Sequence, residues 1–193
     1  MNQLLEKYLN VIKAPRGRAS SVHFGQTRRY KKAEEESKKK PVAVDEINDL
    51  ITSFLKEIGI RTTDHPRYEN PLQINYQEMK EKFELADERD IVWIKITKDG
   101  YIGVVATSND INFNYPSGEN DYDKKDKKND EWIFDTSGIL VHKLKKCWDE
   151  SFALVFPLAK IPDGYIRGDI EEAVGNMLIE NNVPILDYYS HIY

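Results

Sequence analysis

The sequence predicts an α+β fold, in which an antiparallel meander of about five strands has helices before and after it that pack mainly on one face. Two observations carry this prediction. Apolar residues recur at helical spacing in residues 45–58 and 170–181, whereas residues 91–156 hold β-rich runs separated by turn residues. The chain has 193 residues and is 40% hydrophobic, which is enough for one core of ordinary size.

The first forty residues predict two helices that differ in character. Residues 2–13 have an amphipathic pattern that ends before Pro15, and residues 14–27 have no period and are predicted to be a loop. Residues 28–40 contain three Glu-to-Lys pairs at i,i+4, which stabilise a helix, but almost no apolar face. Such a helix is held by its ion pairs or by a partner rather than by a core.

Residues 45–58 give the clearest helical pattern of the chain. Asp45 stands where an N-cap is expected, and Gly59 stands where a helix commonly ends in a left-handed residue. Asn75 with Glu78 three residues later resembles a capping box, which predicts a further helix over residues 76–83.

A hairpin is predicted where the helical period gives way to an extended one. Residues 91–97 and 101–107 flank Asp99-Gly100, and Asp-Gly between β-rich runs favours a type I′ turn. Three more strands complete the meander, over residues 131–135, 139–146 and 151–156.

The last helix is predicted over residues 170–181. Asp169 with Glu172 makes a second start signal of the capping-box type. Gly164 and Gly168 precede the helix, but we interpret this start as capping rather than phosphate binding, since the acidic residues there repel an anion.

Charge divides the chain more sharply than its net charge of -5 suggests. Residues 13–40 hold ten basic residues and three Glu, a local net charge of +7, whereas residues 41–193 hold 17 basic and 29 acidic residues, a local net charge of -12. We therefore expect two parts: residues 1–41, an N-terminal amphipathic helix with a basic arm, and residues 42–193, a single α+β domain.

The basic arm is a candidate nucleic-acid-binding segment. Basic side chains interleaved with aromatic ones suit phosphate neutralisation and base stacking. The candidate residues are Arg16, Arg18, Phe24, Arg28, Arg29, Tyr30, Lys31 and Lys32. The alternative is that the arm is solvated, or lies on the acidic body of its own chain.

Catalysis has little support in the sequence. The carboxylates of residues 119–131 lack the spacing of a calcium loop, and no Gly-x-Ser-x-Gly elbow occurs. A small metal-dependent nuclease or hydrolase stays possible only through acids that converge in the fold, for which the candidates are Asp90, Asp110, Asp135 and Asp149. We predict no catalytic residue, no resident metal and no cofactor.

The C-terminal residues 184–193 are too apolar for a free end. They either pack on the domain or form an interface, whose candidate residues are Tyr188, Tyr189, His191 and Tyr193. No run of residues is long and apolar enough for a membrane span, no signal-peptide pattern is present, and Cys147 is the single cysteine. These features predict a cytoplasmic protein without a membrane partner.

The sequence favours a non-enzymatic binding or accessory protein that acts through charged surfaces. The expected partner is a protein that belongs to a larger protein–nucleic-acid machine. The alternatives are nucleic-acid binding through residues 13–40 and a small metal-dependent nuclease or hydrolase.

Overall fold

The computed structural model describes residues 2–9, 19–20, 28–60, 67–68, 81, 91–97, 99–106, 124–126, 131–134 and 152–186. Their helices include α1 (Gln3–Leu9), α2 (Arg28–Ser37), α3 (Val44–Glu57) and α4 (Arg167–Glu180). The predicted helices at 45–58 and 170–181 are confirmed as α3 and α4. The helix predicted over 76–83 and the Asn75–Glu78 box before it lie, except for Glu81, outside the described residues.

Within the described residues, seven strands lie in two antiparallel sheets. The strands are β1 (Ala19–Ser20), β2 (Arg67–Tyr68), β3 (Ile91–Ile96), β4 (Ile102–Ala106), β5 (Lys124–Asp126), β6 (Glu131–Phe134) and β7 (Phe152–Pro157). The larger sheet has the order β2-β7-β3-β4, and the smaller has the order β1-β6-β5. Helices combined with antiparallel sheets confirm the α+β class.

The predicted five-strand meander is not confirmed. β7 returns to pair along the whole of β3, from Ile91 opposite Pro157 to Ile96 opposite Phe152. β6 instead pairs with β1 and β5 in the smaller sheet. The predicted strand at 139–146 lies outside the described residues. Periodicity identifies strands but not their neighbours, because pairing depends on contacts between residues far apart in sequence.

The core lies between one face of the larger sheet and three helices. Val92, Ile94 and Ile96 alternate along β3 and join residues of α1, α3 and α4 in a single hydrophobic cluster. The opposite face is buried as well, since Ile91 and Trp93 are almost inaccessible to solvent. Strands buried on both faces read as continuous apolar runs, which is the pattern of Ile91 to Ile94.

Helix α3 ends as the sequence predicts but begins one residue earlier. Ala43, not Asp45, occupies the N-cap position, and Asp45 lies in the first turn, where its charge favours the positive end of the helix dipole. At the other end, Gly59 has φ of +90° and donates from its backbone N–H to Lys56 O, while Ile60 N–H donates to Leu55 O. This pair of bonds is a Schellman motif.

The hairpin of β3 and β4 is confirmed, but the predicted type I′ turn is wrong. Gly100 N–H donates to Thr97 O at 3.0 Å, and Gly100 has φ of +99°, whereas Asp99 is not among the residues with positive φ. Thr97 N–H donates in turn to Tyr101 O at 2.8 Å. The loop therefore has three residues with a left-handed glycine at its end. A separate irregularity lies further along the hairpin, where the register shifts between Lys95 and Ile96.

Helix α4 begins at Arg167 rather than at residue 170, with Ile166 as its N-cap. The Asp169 carboxylate accepts a hydrogen bond from the Ile166 backbone N–H at 2.8 Å, so Asp169 is the N3 residue of the helix and not its N-cap. The role is capping, as predicted. Asn182, with φ of 60°, takes the left-handed place after the C-cap.

Gly100→Ala is expected to destabilise the protein more than Gly59→Ala does. Both glycines have positive φ, which costs alanine about 1–2 kcal/mol. A Cβ on Gly59 meets no atom within 4 Å, whereas a Cβ on Gly100 overlaps the Val42 carbonyl oxygen. Urea denaturation should place Gly100→Ala about 1–3 kcal/mol below Gly59→Ala in unfolding free energy. Equal losses would show that the hairpin turn does not abut Val42.

Candidate interaction surfaces

The N-terminal region is attached to the rest of the chain at three places. α1 buries Leu5 and Tyr8 in the core, and the Tyr8 ring meets that of Phe54 edge-on at 5.5 Å between centroids. β1 pairs with β6, with Ala19 opposite Phe134. The third attachment is α2. The division at residue 41 stays a prediction, but the segment expected to be an arm is held at both ends.

Hydrogen bonds fix α1 against its neighbours. The buried Asn176 of α4 donates from Nδ2 to the Tyr8 backbone oxygen at 2.6 Å, which satisfies a carbonyl at the end of α1. Asn2 caps the other end, because its Oδ1 accepts from Leu5 N–H, while its Nδ2 donates to Ile58 O at the end of α3. The Lys7 ammonium lies 2.7 Å from Glu180 Oε1.

Tyr165 links the loop before α4 to α1. Its hydroxyl accepts a hydrogen bond from the Asn2 backbone N–H at 3.0 Å and donates to Glu6 Oε1 at 2.8 Å. The hydrogen bond to Glu6 is the main cause that raises the pKa of Tyr165 above its ordinary value. Sequence reasoning missed this network, because its members lie more than 150 residues apart.

The sequence suggested that helix α2 has almost no apolar face, but one side of the helix is buried. Ala33 is 1% exposed and Glu36 is 4% exposed, so these positions face the interior of the protein. The Lys39 ammonium lies 2.7 Å from Glu36 Oε2, and the Tyr101 hydroxyl donates to the Lys39 backbone oxygen at 2.8 Å. The chain just after the helix is therefore held against the β3–β4 hairpin.

Among the side chains that the structure describes on α2 and just after it, charges of both signs are exposed. They belong to Lys31, Glu34, Glu35, Lys38 and Lys40. Of the candidate nucleic-acid contacts, the structure places five on this helix: Arg28, Arg29, Tyr30, Lys31 and Lys32. Arg16, Arg18 and Phe24 lie outside the described residues. The structure thus brings most candidates onto one element without testing what they bind.

The exposed side of α3 is acidic at its N-terminal half. Asp45, Glu46 and Asp49 are all exposed, while Ile47 and Ile51 anchor the opposite side in the core. The sequence pattern contained this surface, because acids at i, i+1 and i+4 fall on one side of a helix. In the sequence alone, these three acids cannot be distinguished from the ordinary solvated side of an amphipathic helix.

The start of the apolar C-terminal segment packs on the larger sheet. Pro184, Ile185 and Leu186 are buried, and Ile185 forms a parallel bridge with Ile102 of β4. The candidate interface residues Tyr188, Tyr189, His191 and Tyr193 lie outside the described residues.

The candidate catalytic acids are not placed either, since Asp90, Asp110, Asp135 and Asp149 lie outside the described residues. Among the residues that are described, no three His, Cys, Asp or Glu side chains are grouped as a metal site would require. None of the described helices is long and apolar enough to cross a lipid bilayer.

Comparison of the chain with protein-family models, with curated proteins and with solved structures finds no match. A functional assignment for this chain therefore depends on the charge, exposure and packing of its own surfaces.

Asn176→Ala is expected to lower the unfolding free energy by about 1–3 kcal/mol, because it leaves the buried Tyr8 carbonyl without its donor. Asn181→Ala is the matched control. Its amide donates to Met177 O of the same helix from an exposed position, and its loss should change stability by about 0.5 kcal/mol or less. Chemical denaturation measures both. Similar losses would show that the contact between α1 and α4 has no special weight.

The hydroxyl of Tyr165 is expected to titrate above its ordinary pKa of about 10. Because the folded pKa is the raised one, its stabilising contribution is complete below the unfolded pKa and is lost as pH rises through the folded pKa. Glu6→Gln removes the carboxylate acceptor and should move the titration midpoint back toward the ordinary value. NMR titration of tyrosine ring carbons measures it, and a midpoint that Glu6→Gln leaves unchanged would exclude the assigned cause.

Proposed function

We propose that this chain is a binding protein that engages a basic partner protein through its acidic surface. The observation that carries the proposal is the exposed acidic side of α3, formed by Asp45, Glu46 and Asp49. It belongs to a body, residues 41–193, with a local net charge of -12. A field of this sign steers a positively charged partner toward the protein and disfavours a long polyanion.

The rigidity of α3 supports this role. Its inner side is fixed by Ile47, Ile51 and Leu55, all fully buried, and its C-terminus is closed by the Schellman motif at Gly59. Carboxylates on such a helix are held in a constant spacing, so binding them orders little additional backbone. No ion pair joins Asp45, Glu46 or Asp49 to another described residue.

The partner must carry a basic surface, and this requirement indicates its class. Proteins that handle nucleic acids carry basic surfaces because they neutralise phosphates. We extend the proposal on this ground to an accessory role on a larger protein–nucleic-acid machine.

Nucleic-acid binding through residues 13–40 is the second candidate. The observation in its favour is that Lys31, Lys38 and Lys40 are all exposed, on α2 and just after it. Glu34 and Glu35 lie among them and oppose a polyanion. This candidate function therefore depends on the part of residues 13–40 that lies before Glu34, where the charged residues are all basic.

The acidic surface is tested by anisotropy titration of a labelled Lys/Arg-rich peptide at low ionic strength. The triple variant D45N/E46Q/D49N should weaken binding about tenfold. The control variant E34Q/E57Q/D163N removes the same number of exposed charges elsewhere and should change binding by about twofold or less. Equal effects would show only a dependence on net charge and would contradict the assigned surface.

Titration of a labelled DNA duplex in parallel distinguishes nucleic-acid binding from binding of a basic protein. If the duplex binds, with affinity that falls steeply with salt, and the peptide does not, the acidic-surface proposal fails and the basic segment is the functional one.

A further inference from the structure

Ile166 is the one large hydrophobic side chain among the described residues that is mainly exposed, at 69% of full accessibility. It ends the loop between β7 and α4, whose other large apolar side chains, Leu158, Ile161 and Tyr165, belong to the core or pack against it. A single exposed apolar residue is ordinary on a protein surface. The position of Ile166 therefore decides whether its exposure has a function.

Ile166 occupies a position at which isoleucine costs stability. It is the N-cap of α4, where serine, threonine, aspartate or asparagine would accept a hydrogen bond from the first turn of the helix. No side-chain hydrogen bond caps the helix from this residue. Folding therefore does not account for an isoleucine here, whereas residues that serve binding often depart from the choice that stability favours.

The backbone that carries Ile166 is fixed on both sides by hydrogen bonds. Before it, Tyr165 N–H donates to Pro162 O at 3.2 Å, and two further bonds join the Tyr165 hydroxyl to the N-terminal region. After it, Asp169 N–H donates to Ile166 O at 2.9 Å, while the Asp169 carboxylate accepts from Ile166 N–H. A residue held in this way orders little additional backbone when a partner covers it.

The charge around Ile166 indicates which kind of partner covers it. Residues 166–172 hold one basic and three acidic side chains, and the Glu6 carboxylate accepts from the hydroxyl of the neighbouring Tyr165. A second copy of the chain would bring the same acidic residues against these, because a symmetric dimer joins identical patches. A basic partner instead brings opposite charge to the apolar contact.

We propose that Ile166 is the apolar anchor of an interface with a basic partner protein. An apolar side chain of the partner packs on Ile166, and basic side chains of the partner surround this contact. An apolar centre with a polar rim is the common arrangement of protein interfaces. The inference rests on the proposed function for the sign of the partner's charge, but it does not depend on the acidic side of α3.

Two labelled peptides test the anchor by anisotropy titration at low ionic strength. One is rich in Lys and Arg with a central leucine, and the other has serine in place of that leucine. The chain should bind the leucine peptide about fivefold more tightly, since burial of leucine on Ile166 removes apolar surface from water. In the variant Ile166→Ser the two peptides should bind alike. A preference for leucine that survives in this variant would overturn the proposal.

Thermal unfolding separates the loss of the anchor from a loss of structure. Ile166→Ser supplies an N-cap oxygen, so it should raise the melting temperature by about 1–4 °C while it removes the preference for leucine. Ile166→Leu is the matched control, because it keeps an apolar side chain and adds no capping group. It should change neither the melting temperature nor the preference. A variant that gains stability and loses the preference cannot owe that loss to unfolding.

The same titrations distinguish the anchor from the proposed function. The variant D45N/E46Q/D49N should weaken both peptides alike, since it changes charge and not the apolar contact. If it does so and the unsubstituted chain shows no preference for leucine, the acidic surface stands and the anchor is excluded. If neither peptide binds, a basic partner is excluded altogether. If sedimentation shows a dimer that Ile166→Ser converts to a monomer, a second copy covers Ile166 and the proposal is overturned.

Discussion

The contact between the inner face of β3 and helices α3 and α4 is the interaction on which the other features depend. Val92, Ile94 and Ile96 are fully buried in one hydrophobic cluster with residues such as Ile51 of α3 and Val174 of α4. Each fully buried side chain of this kind stabilises the fold by about 1.5–3 kcal/mol relative to exposure. The contact orients α3 so that its acidic side faces solvent, and it creates the surface on which α1 packs.

The basic segment takes its geometry from the same core. Leu5 and Tyr8 fix the helix before it, and Ala33 and Glu36 fix the helix within it. The pairing of β1 with β6 adds an attachment between them. Its positive charge is consequently attached to the core on both sides. A partner that binds it meets a tethered segment rather than a free tail.

Local patterns predicted α3, α4 and the β3–β4 hairpin, but they predicted neither the short strands β1, β2 and β5 nor the pairing of distant strands. The period of Ile47, Ile51 and Leu55 located α3 within one residue, and Gly59 marked its end, because both signals depend only on neighbours in sequence. The loop at Asp99-Gly100 was found but its turn type was not, since a three-residue loop uses the same glycine. A single sequence carries no signal for contacts between distant parts of the chain. Such contacts include the pairing of β7 with β3 and the hydrogen bond from Asn176 to Tyr8, and the burial of Glu36 also depends on them. The acidic side of α3 was visible in the sequence but could not be told from an ordinary solvated face.

We expect α1, α3, α4 and the larger sheet to unfold as one unit, so that the basic segment is anchored at its N-terminal side. Native-state hydrogen exchange across a denaturant series measures this directly. We predict that the slowest amides of α1 converge on the same unfolding free energy as those of β3 and α4. Amides of α1 that open at a much lower free energy, while β3 and α4 stay closed, would contradict this expectation, because the helix before the basic segment would then unfold separately from the core.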